Sequence, residues 1–107
     1  MRKKIILDIE LDDNRLPLNI QINTTDGDLK DSDVKALMLS AWCFENKEAL
    51  CVDLWTKDMP VQEMFLFYYQ SMLTMAETLE KATGEETLSA SLKEYCEFFA
   101  KSVNIKK

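Results

Sequence analysis

The sequence predicts an α+β fold of order ββββαα: a four-stranded antiparallel sheet made of two hairpins, followed by a helical hairpin packed on one face. Three observations lead there. Residues 4–22 and 37–56 largely alternate apolar and polar side chains, the period-two signature of half-buried strands. From Pro60 the apolar spacing changes to three and four residues, the period of a helix face. With 107 residues the chain can build one core and is too short for two ordinary ones, so residues 1–107 are expected to form a single domain.

Each element has its own signature. Between Lys4 and Leu11, the side chains Ile5, Leu7, Ile9 and Leu11 share one side, and after Asp12-Asp13-Asn14-Arg15 the set Leu16, Leu18, Ile20 and Ile22 repeats the pattern. A four-residue loop sets Leu11 opposite Leu16, Ile9 opposite Leu18, Leu7 opposite Ile20 and Ile5 opposite Ile22. Pro17 cannot donate a ladder bond and signals an edge or a bulge. Thr24 to Lys35 reads as a turn-rich acidic connection around Asp26-Gly27, with no strand or helix expected.

Leu37 to Phe44 and Ala49 to Thr56 flank a turn in which Asn46 suits a left-handed position, giving a second hairpin. A helical start over residues 33–39 competes with this reading. The first helix is expected from about Pro60 to Ala82, its stripe running through Val61, Met64/Phe65, Tyr68, Met72, Met75/Ala76 and Leu79. Gly84 is a left-handed stop, and Thr83-x-x-Glu86 could open the next helix as a capping box. Leu88, Leu92, Tyr95, Phe99 and Val103 line the face of that second helix.

Composition narrows the function classes. A net charge of −6, with Arg2, Lys3, Lys4, Lys101, Lys106 and Lys107 gathered at the ends, disfavours a nucleic-acid partner. The apolar run of MRKKIILDIELDD stops at Leu7, too short for a signal-peptide core, and no segment reaches the length needed to span a bilayer. A cytoplasmic location without membrane insertion is expected. Cys43, Cys51 and Cys96 lack metal-ligand spacing and read as reduced thiols in or near the core. The absence of histidine removes Ser-His and Cys-His catalysis.

The motifs that remain have bland explanations. In DLWTKDMPVQEM (Asp53 to Met64) Asp58 or Met59 can cap the helix, Pro60 fits its first turn and Glu63 complements its dipole, so the segment reads as a corner. The acids of DGDLKDSD (Asp26 to Asp33) fail the calcium-loop pattern, because glycine stands second and the twelfth residue is Leu37. MFLFYYQSMLTM (Met64 to Met75) reads as core, with Phe67 off the main stripe. No catalytic, cofactor-binding or metal residue is assigned, and no enzyme activity is expected.

The second hairpin carries the functional signal. A two-residue turn at Asn46-Lys47 opposes Cys43 to Leu50, Ala41 to Val52 and Leu39 to Leu54, giving one face an aliphatic core and leaving Met38, Trp42, Phe44, Cys51 and Trp55 on the outer face. Two tryptophans on an otherwise polar sheet face point to a protein-interaction surface of Met38, Trp42, Phe44 and Trp55, serving a homodimer or another protein. Folding of the Thr24 to Lys35 loop over this face is the competing account. Cys43 and Cys51 fall on opposite faces and should not bridge.

Three stretches, TTDGDLKDSDVKALMLSAW, DLWTKDMPVQEM and FYYQSMLTMAETLEKATGE, resemble the GldC family of gliding motility proteins of Bacteroidetes bacteria over nearly the whole chain. The resemblance implies a non-enzymatic accessory protein of gliding machinery and supplies no catalytic or ligand-binding residues. A scaffold acting through protein contacts is therefore the leading expectation. The alternative is an export adaptor binding unfolded chains, since an acidic ββββαα protomer with an apolar sheet face is similar in outline to the SecB chaperone.

Overall fold

The computed structural model describes residues 1–27 and 32–105. Two compact units divide the chain, Met1–Met59 and Pro60–Lys107. Among the described residues the first contains five strands: β1 (Ile5–Leu11), β2 (Pro17–Thr24), β3 (Ser32–Val34), β4 (Ala36–Cys43) and β5 (Glu48–Trp55). They form a three-stranded sheet of order β1-β2-β3 and a separate two-stranded sheet of β4 and β5. The α+β class holds, but the single four-stranded sheet does not. The cause is β3, which sets Val34 opposite Ile20, Asp33 opposite Gln21 and Ser32 opposite Ile22. It occupies the β2 edge that the second hairpin would have needed. Three residues, two of them polar, carry too little alternation to announce a strand.

The first hairpin departs from its expected register in two single-residue steps. Its loop is Asp13-Asn14-Arg15, closed by the Asp12 N–H donating to the Leu16 carbonyl at 2.9 Å and the Arg15 N–H to the Asp12 carbonyl at 2.9 Å. Arg15 is left-handed, with φ 63°, as required where a type I turn ends in a bulge. Leu11 therefore opposes Pro17, and a bulge then skips Leu18 so that Glu10 opposes Asn19. Each step reverses the facing of the side chains. Pro17 is buried, and Leu16 and Leu18 are exposed. Two reversals cancel, so Ile9 opposes Ile20 and Leu7 opposes Ile22, and Ile20 is fully buried.

The second unit is a helical hairpin, α1 (Val61–Thr83) and α2 (Glu86–Ser102). Gly84 ends α1 in the left-handed conformation at φ 76°, its N–H donating to the Glu80 carbonyl at 2.7 Å, as expected. The expected caps are absent. Pro60 is the N-cap of α1 without a side-chain bond, and Glu85 is that of α2. Thr83 cannot form the capping box because its hydroxyl donates to the Leu79 carbonyl at 2.7 Å and accepts the Glu85 N–H at 3.1 Å.

Small side chains draw the helices together. Ser89, Cys96 and Ala100 of α2 and Tyr69 and Ala76 of α1 are buried, and the Ser89 hydroxyl donates to the Ala76 carbonyl at 2.8 Å. Met72, Leu73, Phe99 and Ile105 pack against Tyr69, Cys96 and Ala100. Of the expected stripe, Leu92, Phe99 and Val103 are half-buried, whereas Leu88 and Tyr95 are exposed. The α2 stop gave no sequence signal. Asn104 turns left-handed at φ 58°, the Ile105 N–H donates to the Ala100 carbonyl at 2.9 Å, and the Ile105 side chain returns to the cluster. This is a Schellman motif, with asparagine in place of the commoner glycine.

Candidate functional site

The Asp53 to Met64 corner is built from mutual bonds rather than from a helix cap. Thr56 is buried, its N–H donates to the Lys35 carbonyl at 2.8 Å, and its hydroxyl donates to Asp58 Oδ1 at 2.7 Å. Lys35 Nζ meets Asp58 Oδ2 at 2.8 Å. The lysine bond, followed by that of Thr56, holds the Asp58 carboxyl below the usual range, and Asp58 in turn raises Lys35. Asp58 is thus engaged by the start of β4 and cannot serve as the cap expected of it.

Lys57 reaches back to Asp12 Oδ2 at 3.2 Å, tying the second hairpin's end to the turn of the first. Asp12 Oδ1 also accepts the Asn14 and Leu16 N–H groups at 2.8 and 2.9 Å. The Leu16 N–H leads the causes that hold this carboxyl low, with Lys57 and Asn14 adding to it. Both carboxylates are held ionised, the opposite of what a proton donor at neutral pH requires. Beside the tie lies a cavity of about 300 Å³, with Arg15, Leu16 and Pro17 on one side and Asp53, Leu54, Trp55 and Lys57 on the other. The first hairpin's turn therefore stands against the end of β5.

The β4–β5 hairpin carries the expected interaction residues in a shifted register. Its loop has four residues, Phe44 to Lys47, and the left-handed position falls at Lys47 (φ 55°) instead of Asn46. Cys43 opposes Glu48, Leu39 opposes Val52 and Ala36 opposes Trp55, two residues from the expected pairing. A two-residue shift preserves the faces, so Met38, Trp42 and Trp55 remain on one side. It does separate the aromatics. Trp55 lies opposite Ala36, six positions along β4 from Trp42, a distance of about 20 Å. Phe44 sits in the turn, where the Lys47 ammonium lies 4.9 Å from its ring centre.

All four predicted residues are exposed: Met38 by 38%, Trp42 by 65%, Phe44 by 78% and Trp55 by 60%. The other face was expected to be aliphatic core, yet Leu39, Leu50 and Val52 are exposed as well. Alternation locates a face and does not say whether anything covers it.

The cysteines are free. Cys43 is half-buried and Cys96 buried, but Cys51 is exposed, its thiol 3.3 Å from the Ser40 hydroxyl, which departs from the reading of all three as thiols in or near the core and agrees with its place on the outer face. Of the acidic run, Asp26 pairs with Lys3 at 2.9 Å and accepts the Thr24 hydroxyl, and Asp33 stands in β3. Asp28 and Asp31 lie outside the described residues. Among the described residues no cluster of three or more metal-donor side chains occurs, and no helix is long and apolar enough to cross a membrane.

Fold and surface together define an α+β protein that joins a three-stranded sheet, an apolar two-stranded hairpin and a helical hairpin. The chain belongs to the GldC-like family: residues 17–105 match the family described as gliding motility-associated protein GldC-like. The family resemblance read from the three sequence stretches is borne out. No curated protein and no solved structure matches the chain.

Proposed function

We propose that the protein is a non-enzymatic accessory component of bacterial gliding machinery, acting in the cytoplasm as a homodimer through protein–protein contacts of its β4–β5 hairpin. The observation that carries this reading is the hairpin itself, whose eight-residue strands expose apolar side chains on both faces. Contiguous apolar surface of this kind is costly to leave in water and marks contact surfaces. Trp42 is the natural anchor, because buried aromatics dominate interface energetics. Membership of a gliding-associated family supplies the process.

The test compares wild type with Trp42→Glu for co-purification with defined gliding-machinery proteins, alongside circular dichroism. A charge placed in a contact that must dry should abolish capture and leave the secondary structure intact. Equal capture by the variant overturns the reading. Loss of folding does so too, since it makes Trp42 internal core. Capture of many unfolded chains in place of defined components would favour an export adaptor.

A further inference from the structure

Strand β4, Ala36-Leu-Met-Leu-Ser-Ala-Trp-Cys43, contains no charge, no proline and no glycine. Its one hydrogen-bonded neighbour in the described sheets is β5. Proteins ordinarily blunt such an edge with a charge, a proline or a covering element, because its free backbone groups template another strand. The outer edge of β5 is managed in these ways: Asp53 lies on it, and Arg15, Leu16 and Pro17 stand against its end. Among the described residues no such device protects β4, and residues 38–42 are all exposed.

Hydrogen-bond phase determines which backbone groups face outward. The Thr56 N–H donates to the Lys35 carbonyl and the Lys47 N–H to the Cys43 carbonyl, so the odd-numbered β4 residues address β5 and its flanks. Bonding alternates along an antiparallel strand, leaving the N–H and C=O groups of Ala36, Met38, Ser40 and Trp42 on the open edge.

We infer that β4 pairs antiparallel with β4 of a second copy about a two-fold axis at Ser40, making a continuous four-stranded sheet β5-β4-β4-β5 across the dimer. This rests on the proposal that the protein works as a dimer and specifies how. A two-fold axis perpendicular to the sheet keeps each face continuous, so paired residue numbers must sum to an even value. Charge then selects among the registers. Centring on Ser40 sets Ser40 opposite its own copy, Met38 opposite Trp42, and, at the flanks, Lys35 toward Glu45 and Asp33 toward Lys47 of the other copy. Centring on Leu39 turns Asp33 toward Glu45, and centring on Ala41 turns Lys35 toward Lys47. Both juxtapose like charges and are disfavoured.

The area is of the right order for a second copy. Trp42 and Phe44, at 65% and 78% exposure, together present on the order of 300 Å² per copy. Cross-strand neighbours of the other copy cover part of this area, a contribution toward the roughly 800 Å² each partner gives to a stable interface. Met38, Leu39 and the strand backbone add to it. Met38 against Trp42 is also a favourable sulfur–aromatic pairing.

Light scattering and residue-resolved amide hydrogen exchange on the full chain test the inference. The expected wild type has twice the chain mass, with the amides of Met38, Ser40 and Trp42 protected. Ser40→Pro removes an outward N–H and leaves the bonds to β5 in place. It should halve the mass and expose the Met38 and Trp42 amides, while Leu39 and Ala41 stay protected. A monomeric wild type overturns this pairing and the dimer with it. A dimer whose Met38, Ser40 and Trp42 amides exchange freely overturns the edge pairing alone and leaves a face-to-face contact standing. The wild-type exchange pattern decides whether or not Ser40→Pro folds.

Discussion

Asp12 shows how a surface carboxylate can organise several elements. It accepts two N–H groups inside its own turn and a lysine from the end of the other hairpin. Its folded-state pKa is lowered, so its stabilising contribution is present above the ordinary aspartate value and lost as pH falls through the folded value. Asp12→Asn should therefore lower stability at neutral pH and remove part of the further loss below about pH 4. Chemical denaturation from pH 7 to 3 checks this, and parallel wild-type and variant curves would show that Asp12 has no part in the acid response. The residue was visible in the sequence only as one member of a turn. Its lysine partner lies far away in the chain, and a long-range ion pair leaves no local pattern.

Among the elements, the helices were the most legible. The expected span of residues 60–82 and the observed Val61–Thr83 nearly coincide, because one long apolar periodicity and one glycine define it. Gly84→Val tests that stop. A Cβ at Gly84 meets nothing within 4 Å, so the cost comes from φ 76° alone. The expected destabilisation is about 1–2 kcal/mol, read by thermal or denaturant unfolding, and an unchanged midpoint would refute the turn assignment. Strand registers were less legible than strand existence. Loop lengths set them, and both hairpins place the left-handed residue at a long cationic side chain, Arg15 and Lys47, where sequence gives little warning. Each register ends two residues from the expected one, so faces hold along β4–β5 and the body of β1–β2 and reverse only around Pro17, between the two single-residue steps.

At the scale of the whole molecule, the apolar hairpin and the exposure of Met38, Trp42, Phe44 and Trp55 were legible in the sequence, and what surrounds them was not. Period two separates one face from the other, and in β4–β5 it predicts a covered face and an open one. Both are open to water, so the distinction was tertiary and lay beyond any local pattern. Two of the three thiols now acquire a use as kinetic reporters. Cys51 is exposed and should be alkylated promptly in the native protein, whereas Cys96 lies wholly buried between α1 and α2, its thiol pushed up by that burial. A protonated, enclosed thiol reacts only after its surroundings open. The slow component of alkylation, followed by mass spectrometry with peptide mapping, should therefore time the parting of the helical hairpin without any engineered label, and prompt modification of Cys96 would mean that the hairpin opens readily.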